Sequence, residues 1–348
     1  MLGFTAPILC RHQYEPPFPG FELLASYYRY RYSSTCRGLW TLDMTSFVDA
    51  FLHGVGQVIF LHSTTCGALI LAALCYGDLW LAVLATVGTL SATVSARAFN
   101  TDTKAIQAGL FGYNGCLVGC AFSVFLGLRP WSITSFLATI LCAGVTAPCV
   151  SVLKPICGSM PQWTLAFNFL TLAVLYLARM PQDTASISTD ASTFSALNWG
   201  CALLTGISQI FVVNDALAGA IILGTICYYS PMCAVHTLFG SCIGIGMALA
   251  CGAPTDDIVM GLWGFNPALT SLAISVFFVP GLPSYTLAAV GSVATAALFG
   301  VLKSAMGSTP TLTVPFCIIV SGCYMLHTRV PRLVLAASPH SPEKNALQ

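Results

Sequence analysis

Charged residues are scarce in this chain. Only 7% of its 348 residues are Asp, Glu, Lys or Arg, whereas a soluble domain carries roughly 25%. The formal net charge is +1, and lysine and arginine are too scattered to make the basic surface that nucleic-acid binding requires. The composition therefore excludes both an ordinary soluble domain and a nucleic-acid-binding protein.

Patterns typical of catalytic or metal sites are also missing. The sixteen cysteines stand mostly alone inside apolar stretches, which predicts packing residues rather than a zinc site or a disulfide framework. No cluster of titratable residues falls at membrane depth, and no βαβ unit surrounds the glycines of 109–115. The first residues lack an apolar core before a cleavage site, so we expect no removable signal peptide. We expect no enzymatic activity, cofactor or metal.

Long apolar runs dominate instead, and 56% of the residues are hydrophobic. Two apolar stretches, about 45–60 and 198–212, are shorter than the roughly 20 residues that cross a bilayer as helix, which predicts re-entrant half-helices. The chain is therefore predicted to be an all-α integral membrane protein with about ten transmembrane helices plus two re-entrant half-helices. The predicted spans are 66–77, 79–96, 109–127, 132–152, 162–178, 214–229, 232–251, 261–279, 283–302 and 311–327.

The two halves of the chain repeat each other in sequence. The block 54–57 (GVGQ) recurs 152 positions later as GISQ, and 109–114 (GLFGYN) recurs at the same offset as GLWGFN. The Pro-x-x-Thr-x-x-Phe pattern that begins at Pro161 returns at Pro310, an offset of 149. Because each half has an odd number of spans, we expect two inverted-topology repeats.

The distribution of lysine and arginine predicts the orientation. Arg97, Lys104 and Lys154 fall on the same side as the arginine-rich N-terminal segment, so the positive-inside rule places both termini in the cytoplasm. The predicted parts are a cytoplasmic N-terminal segment, the first membrane repeat, an extracellular linker, the second membrane repeat and a cytoplasmic tail: 1–44, 45–178, 179–197, 198–328 and 329–348.

Two glutamines are the first candidates for a solute path. Gln57 and Gln209 occupy matched positions where the two short helices end. An amide both donates and accepts hydrogen bonds, which suits a small neutral solute that exchanges water for protein partners. The alternative is that each glutamine only caps its own helix or joins two helices.

Aromatic and leucine side chains accompany the glutamines. Phe60 lies three residues after Gln57, and Tyr113 and Phe265 occupy matched positions in the repeated glycine blocks. Leu117 and Leu269 follow four residues later, on the helix face of the preceding ring. Flat rings could hold a flat solute, although aromatic residues more often pack a core.

Matched threonines are the third candidate pair. Thr164 and Thr313 begin the last span of each half, and symmetry would bring their hydroxyls together near the membrane centre. Helix capping after a proline is the alternative role. His53 lies one turn before Gln57, where it could line the path, pack, or stand at a mouth, and the role of Asp215 stays open.

In combination, these blocks resemble the urea transporter family. The resemblance rests on 54–60 (GVGQVIF), 109–115 (GLFGYNG), 261–266 (GLWGFN) and 312–316 (LTVPF), and covers about 45–328. It implies passive urea flux without a cofactor, in a homotrimer with one pore per protomer, and we expect a plasma-membrane location in contact with lipid. The implied solute site of the first half comprises Gln57, Val58, Phe60, Tyr113 and Leu117, and that of the second half comprises Gln209, Ile210, Phe265 and Leu269. Thr164 and Thr313 would form the constriction.

Several positions depart from the family pattern. Val212 stands where the repeat predicts a ring matching Phe60. Either Phe211 substitutes for the missing ring, or the second solute site is looser than the first. Ala166 replaces the proline that Pro315 keeps in the other half. The alternative functions are a channel for water or ammonia, and a receptor-like membrane scaffold that does not transport.

Overall fold

A computed structural model describes residues 44–99, 101–178 and 196–347. Most of the predicted N-terminal segment and of the predicted linker lie outside these ranges.

The described helices form two series that match in order and nearly in length. The first series is α1 Met44–Gly56, a 3-10 turn Gln57–Ile59, α2 Thr64–Gly77, α3 Leu79–Ala98, α4 Thr103–Gln107, α5 Gly112–Phe125, α6 Ile133–Cys157 and α7 Leu165–Ala178. The second is α8 Ala196–Ser208, a 3-10 turn Gln209–Phe211, α9 Ala216–Tyr229, α10 Pro231–Ala250, α11 Thr255–Val259, α12 Phe265–Phe277, α13 Leu282–Met306 and α14 Val314–Met325. A 3-10 turn, Leu326–Thr328, and the short helix α15, Pro342–Asn345, follow.

The predicted all-helical membrane fold is confirmed, but its spans are of three kinds. Four helices, α3, α6, α10 and α13, have the length and apolar composition to cross a membrane. Two bent pairs, α1 with α2 and α8 with α9, turn by 72° and 76° and would bring the number of spans to six. The remaining predicted spans are the helices α5, α7, α12 and α14, of 12 to 14 residues. Ten full-length spans are therefore not found in the described residues.

The bend in each helix pair has a local cause. Phe60 directly follows the 3-10 turn after α1, and Val212 directly follows the one after α8. Both residues are in the left-handed backbone region, with φ of 61° and 62°. The chain then restarts as a helix capped by a side chain. The Asp215 carboxylate accepts the backbone N–H of Ala218 at 2.7 Å, which gives this residue a structural role at the start of α9.

Glycines let the helices of each half approach closely. A Cβ atom on Gly88 of α3 would collide with the backbone carbonyl of Gly115 on α5, and a Cβ on Gly219 would collide with the carbonyl of Leu204. Contacts between α2 and α9 join the two halves. All the described cysteines are free, and Cys116 and Cys120 lie in the core, as predicted for packing residues.

Candidate functional site

Two cavities occupy equivalent places in the two halves. The Gln57 cavity has a volume of about 320 Å³ and is lined, among others, by the predicted residues Gln57, Val58, Phe60, Tyr113 and Thr164. The Gln209 cavity has a volume of about 570 Å³ and is lined, among others, by the predicted residues Gln209, Ile210, Phe265, Leu117 and Thr313.

The glutamine side chains have free hydrogen-bonding capacity. Gln57 and Gln209 begin the two 3-10 turns and line their cavities. Within the described part of the chain, neither side-chain amide has a hydrogen-bond partner, so neither caps its helix. Each amide can therefore donate to and accept from a molecule in its cavity.

The cavity walls contain four residues with strained backbone. Phe60 and Trp163 line the Gln57 cavity with φ of 61° and 47°, and Val212 and Leu312 hold the matched places in the Gln209 cavity with φ of 62° and 48°. Such conformations are uncommon for large side chains, and for the β-branched Val212 the conformation is an outlier. Each costs about 1–3 kcal/mol and persists where the surrounding fold enforces it.

Six aromatic side chains line the Gln57 cavity, and four of them pack edge to face. Phe60 meets Phe277 at 5.7 Å between ring centroids and Trp163 at 6.3 Å, both nearly perpendicular. Trp163 also lies 5.0 Å from Phe277 and 5.9 Å from Phe316. These edge-to-face contacts fix the rings against one another and leave a narrow space.

Two of these four rings have no aromatic counterpart in the Gln209 cavity. Val212 and Leu312 replace Phe60 and Trp163, while Phe125 and Phe167 match Phe277 and Phe316. Phe211 is fully buried in the core and is not a lining residue, so it does not compensate for Val212. The second cavity is therefore the looser one.

The two cavities meet at a pair of threonines. Thr164 lines one cavity and Thr313 the other, and their hydroxyl oxygens lie 2.7 Å apart. Asn168 makes two hydrogen bonds to Thr313. Its Nδ2 donates to the Thr313 hydroxyl at 2.9 Å, and its Oδ1 accepts the Thr313 backbone N–H at 3.1 Å. Cys317 holds the position of Asn168 in the other half, and its Sγ lies 3.1 Å from the Thr164 hydroxyl. The constriction is polar, uncharged and asymmetric.

Two buried asparagines fix the helices that carry the threonines. Asn114 Oδ1 accepts the backbone N–H of Phe167 at 3.1 Å, and Asn266 Oδ1 accepts that of Phe316 at 3.3 Å. The Asn266 amide also donates to the carbonyl of Leu312. In the first half, the Tyr113 hydroxyl donates to the equivalent carbonyl, that of Trp163. The amide nitrogen of Asn114 has no hydrogen-bond partner among the described residues. Tyr113 therefore lines the Gln57 cavity and also fixes the backbone at Trp163.

The structure places the two predicted leucines differently from the resemblance. Leu117 lines the Gln209 cavity, not the Gln57 cavity of its own half. One turn of α5 advances about 5.4 Å, which carries Leu117 past the level of Tyr113 and towards the other cavity. Leu269 is 2% exposed and lies in the core without lining either cavity.

Each cavity has charged residues in its lining. In the Gln209 cavity, Lys303 forms an ion pair with Asp257, and Asp256 is also a lining residue. Lys154 holds the equivalent place in the Gln57 cavity, but Ala105 stands where the other half has Asp257. The linings of the two cavities therefore differ in charge.

His53 lines neither the Gln57 cavity nor the Gln209 cavity. Its ring stacks on His62 at 4.3 Å, and its Nδ1 lies 2.8 Å from the carbonyl oxygen of Gln107. These residues line a separate polar depression with Asp49 and Lys104. Among residues 44–99, 101–178 and 196–347, no three His, Cys, Asp or Glu side chains lie close enough together to hold a metal ion.

Sequence reasoning missed Trp163, Asn168 and Phe277. Trp163 lies between Pro161 and Thr164, so the repeated proline pattern was the signal that could have found it. Asn168 follows Thr164 by one helical turn and therefore shares its face. Phe277 gives no local signal, because its ring reaches the cavity from the far end of α12.

Comparison with known proteins gives consistent matches over most of the chain. A family model described as urea transporter matches residues 48–328. Urea transporter 1 of Capra hircus and that of Ovis aries are each 32% identical over 308 residues, covering 82% of this chain and 79% of theirs. Urea transporter 1 of Mus musculus is 30% identical over 305 residues with the same coverage. The family match includes all the cavity residues named above.

Proposed function

Because the chain belongs to the urea transporter family, we propose that it conducts urea passively across a membrane through the Gln57 and Gln209 cavities. The observation that carries the proposal is the free amide in each cavity, with the two cavities meeting at a hydroxyl pair. Urea is planar, neutral and rich in hydrogen-bonding groups, so it fits amides set among flat rings. The proposed function is transport rather than catalysis.

The path replaces the hydration of the solute step by step. In each cavity the glutamine offers a donor and an acceptor, and the aromatic walls contact the faces of the molecule. At the constriction, a solute has to take the place of the hydrogen bond between Thr164 and Thr313. No charged side chain of the described residues stands at this pair, so nothing there stabilises an ion.

We further propose that the halves are inverted repeats bounded at 45–178 and 198–328, with both termini in the cytoplasm and the 179–197 linker outside. Matched helix lengths support the repeat, since α3 and α10 both have 20 residues and α6 and α13 both have 25. The placement of Lys104 and Lys154 against Asp256 and Asp257 supports the orientation.

The proposed assembly is a homotrimer in the plasma membrane with one pore per protomer. Large apolar side chains on the outer face support contact with lipid or with other copies of the chain. Ile133, Leu141, Tyr176, Leu177, Tyr228 and Leu282 are each at least 69% exposed. Mass measurement of the purified protein in native lipid would test the number of copies.

Urea flux into proteoliposomes tests the function. We expect saturable flux, and we expect Gln57→Leu and Gln209→Leu each to reduce it by about 5- to 150-fold, because one or two hydrogen bonds worth about 1–3 kcal/mol together are lost. Gln107→Leu is the matched control, since this exposed glutamine lies outside both cavities and its flux is expected to stay normal.

Three outcomes decide between the alternatives. Flux no higher than that of protein-free vesicles contradicts transport and favours a scaffold. Passage of water or ammonia without urea favours the alternative channel. Normal flux in both glutamine variants removes the amides from the mechanism.

A further inference from the structure

The segment 329–347, which sequence analysis marks as a tail, folds back onto α12. The Val279 N–H donates to the Val334 carbonyl at 2.9 Å, and the Ala336 N–H donates to the Phe277 carbonyl at 3.0 Å. Phe278 and Leu335 form the antiparallel bridge between these bonds. The segment therefore pairs with the chain directly after α12.

A second anchor lies one residue earlier on α12. Asn345 is fully buried, and its Nδ2 donates to the carbonyl of Val276 at 2.7 Å. The carbonyls of Val276 and Phe277 belong to the last turn of α12, where carbonyls lack partners within the helix. The segment supplies a partner to both.

Glu343 makes the third anchor, at the start of α10. Its carboxylate accepts the Ser230 hydroxyl at 2.7 Å and the Met232 N–H at 3.0 Å. A negative charge at a helix N-terminus interacts favourably with the unpaired N–H groups there. Cys233 also faces this carboxylate. Burial would raise the pKa of Glu343, but the hydrogen bonds from Ser230 and Met232 outweigh it, so the net pKa is lowered.

His340 completes the contact with α9. Its ring stacks on Tyr229 at 5.4 Å, with Nδ1 3.0 Å from the Tyr229 hydroxyl. Lys344 lies 3.1 Å from Nε2, and His62 also faces the ring from the turn before α2. Burial, reinforced by Lys344 and His62, lowers the pKa of His340.

The end of α12 that the segment holds carries a wall of the Gln57 cavity. The ring of Phe277 contacts both Phe60 and Trp163, and the Phe277 carbonyl accepts the Ala336 N–H. The matched helix α5 ends at Phe125, and no described segment bonds to the backbone carbonyl of Phe125. Only the narrower cavity thus has an aromatic wall held in this way among the residues described.

We propose that Glu343 and Asn345 are positioning residues for permeation: by docking the 329–347 segment they hold Phe277 and so set the width of the Gln57 cavity. This proposal rests on the proposed urea channel. With the segment released, Phe277 gains freedom and the cavity admits a larger solute such as N-methylurea.

The test is the ratio of N-methylurea flux to urea flux in proteoliposomes of the full chain. This ratio does not depend on the amount of folded protein, which a merely structural role would change. We expect Glu343→Ala, Asn345→Ala and their double variant to raise it by about 2- to 10-fold, the range that the loss of one ring contact implies. Phe277→Ala should raise the ratio at least as much, and adding Asn345→Ala to it should have no further effect. Glu343→Asp, which keeps the carboxylate, should restore part of the selectivity.

Hydrogen exchange of residues 276–279 and 334–336 reports docking independently of flux. Faster exchange in the double variant with a raised flux ratio supports the proposal. Faster exchange with an unchanged ratio overturns it, as does unchanged exchange, because Glu343 and Asn345 would then not hold the segment. A Phe277→Ala ratio equal to that of the unaltered chain also overturns it. Absence of urea flux in the unaltered protein would instead contradict the channel itself.

Discussion

Asn168 offers the sharpest test of the constriction, because the chain contains its own control. Asn168 and Cys317 hold matched positions behind the threonine pair. Asn168 accepts the backbone N–H of Thr313 and donates to its hydroxyl, whereas Cys317 offers only a thiol to Thr164. Replacing each residue by alanine removes unequal support from two related places.

The expected sizes follow from these contacts. Asn168→Ala leaves the buried Thr313 N–H without a partner, which costs about 1–3 kcal/mol, and frees the Thr313 hydroxyl to rotate. If this cost falls on the step at the constriction, urea flux drops by about 5- to 150-fold. A thiol is a weak hydrogen-bonding group, so Cys317→Ala should cost less than about 1 kcal/mol and lower flux by less than about 5-fold.

Urea efflux from proteoliposomes, normalised to the quantity of folded protein, measures the effect. Thermal unfolding in detergent shows how much of the cost falls on stability instead. Equal flux in the two variants would refute the argument that Asn168 orients the constriction, as would normal flux in Asn168→Ala despite lowered stability.

Three further expectations follow from the structure. Trp163→Leu, which copies Leu312 of the wider cavity, should raise the N-methylurea to urea flux ratio severalfold, and an unchanged ratio would show that this ring does not limit solute size. Gly88→Val should lower stability by about 1–3 kcal/mol in detergent unfolding, since its Cβ meets a backbone carbonyl, whereas Gly246→Val, with open space around it, should not. Acidification should release the 329–347 segment, because the lowered pKa values of Glu343 and His340 favour docking at neutral pH. This contribution to docking is lost as the pH falls below about 6.5, first through protonation of His340 and then through protonation of Glu343. Hydrogen exchange between pH 7.5 and 5 measures the His340 part of that release, and exchange below about pH 4.5 measures the Glu343 part. Both are corrected for the intrinsic pH dependence of exchange, and constant protection would contradict the expectation.

The repeated blocks and the family resemblance pointed to eleven residues, and ten of them line one of the two cavities. A constant offset marks positions that two related halves use in the same way, so Gln57 and Gln209 could be found without a fold. Thr164 and Thr313 were predicted to meet near the centre, and their hydroxyls do lie in contact. The assignment of these residues to urea stays a prediction until flux is measured.

Helix lengths could not be read from hydropathy. Apolar sequence continues past the ends of α5 and α12, so each of these two runs was predicted as a full span, whereas 45–60 and 198–212 were predicted as half-helices. The 3-10 turns after α1 and α8 depend on left-handed backbone at Phe60 and Val212, residues that usually avoid it. Tertiary packing enforces these bends, and the backbone preferences of Phe60 and Val212 do not predict them.

Side chains that arrive from distant elements were also beyond sequence reasoning. Phe277 reaches the Gln57 cavity at the end of a helix whose first residue, Phe265, lines the other cavity. Leu117 crosses to the Gln209 cavity for the same reason. A helix that passes the constriction contributes to both cavities, whereas a helical-face argument considers only one level.

The unequal cavities bear on selectivity rather than on direction. A passive path has no energy input, so at equal concentrations on both sides the two one-way fluxes are equal whatever the shape of the path. The four packed rings of the Gln57 cavity and the two aliphatic replacements in the Gln209 cavity therefore cannot favour entry or exit of urea. They can make a substituted urea bind in the wide cavity and stop at the narrow one. Such a molecule would block urea flux at lower concentration from the Gln209 side than from the Gln57 side. From the Gln57 side it meets the rings of Phe60 and Trp163 before it reaches the wider cavity.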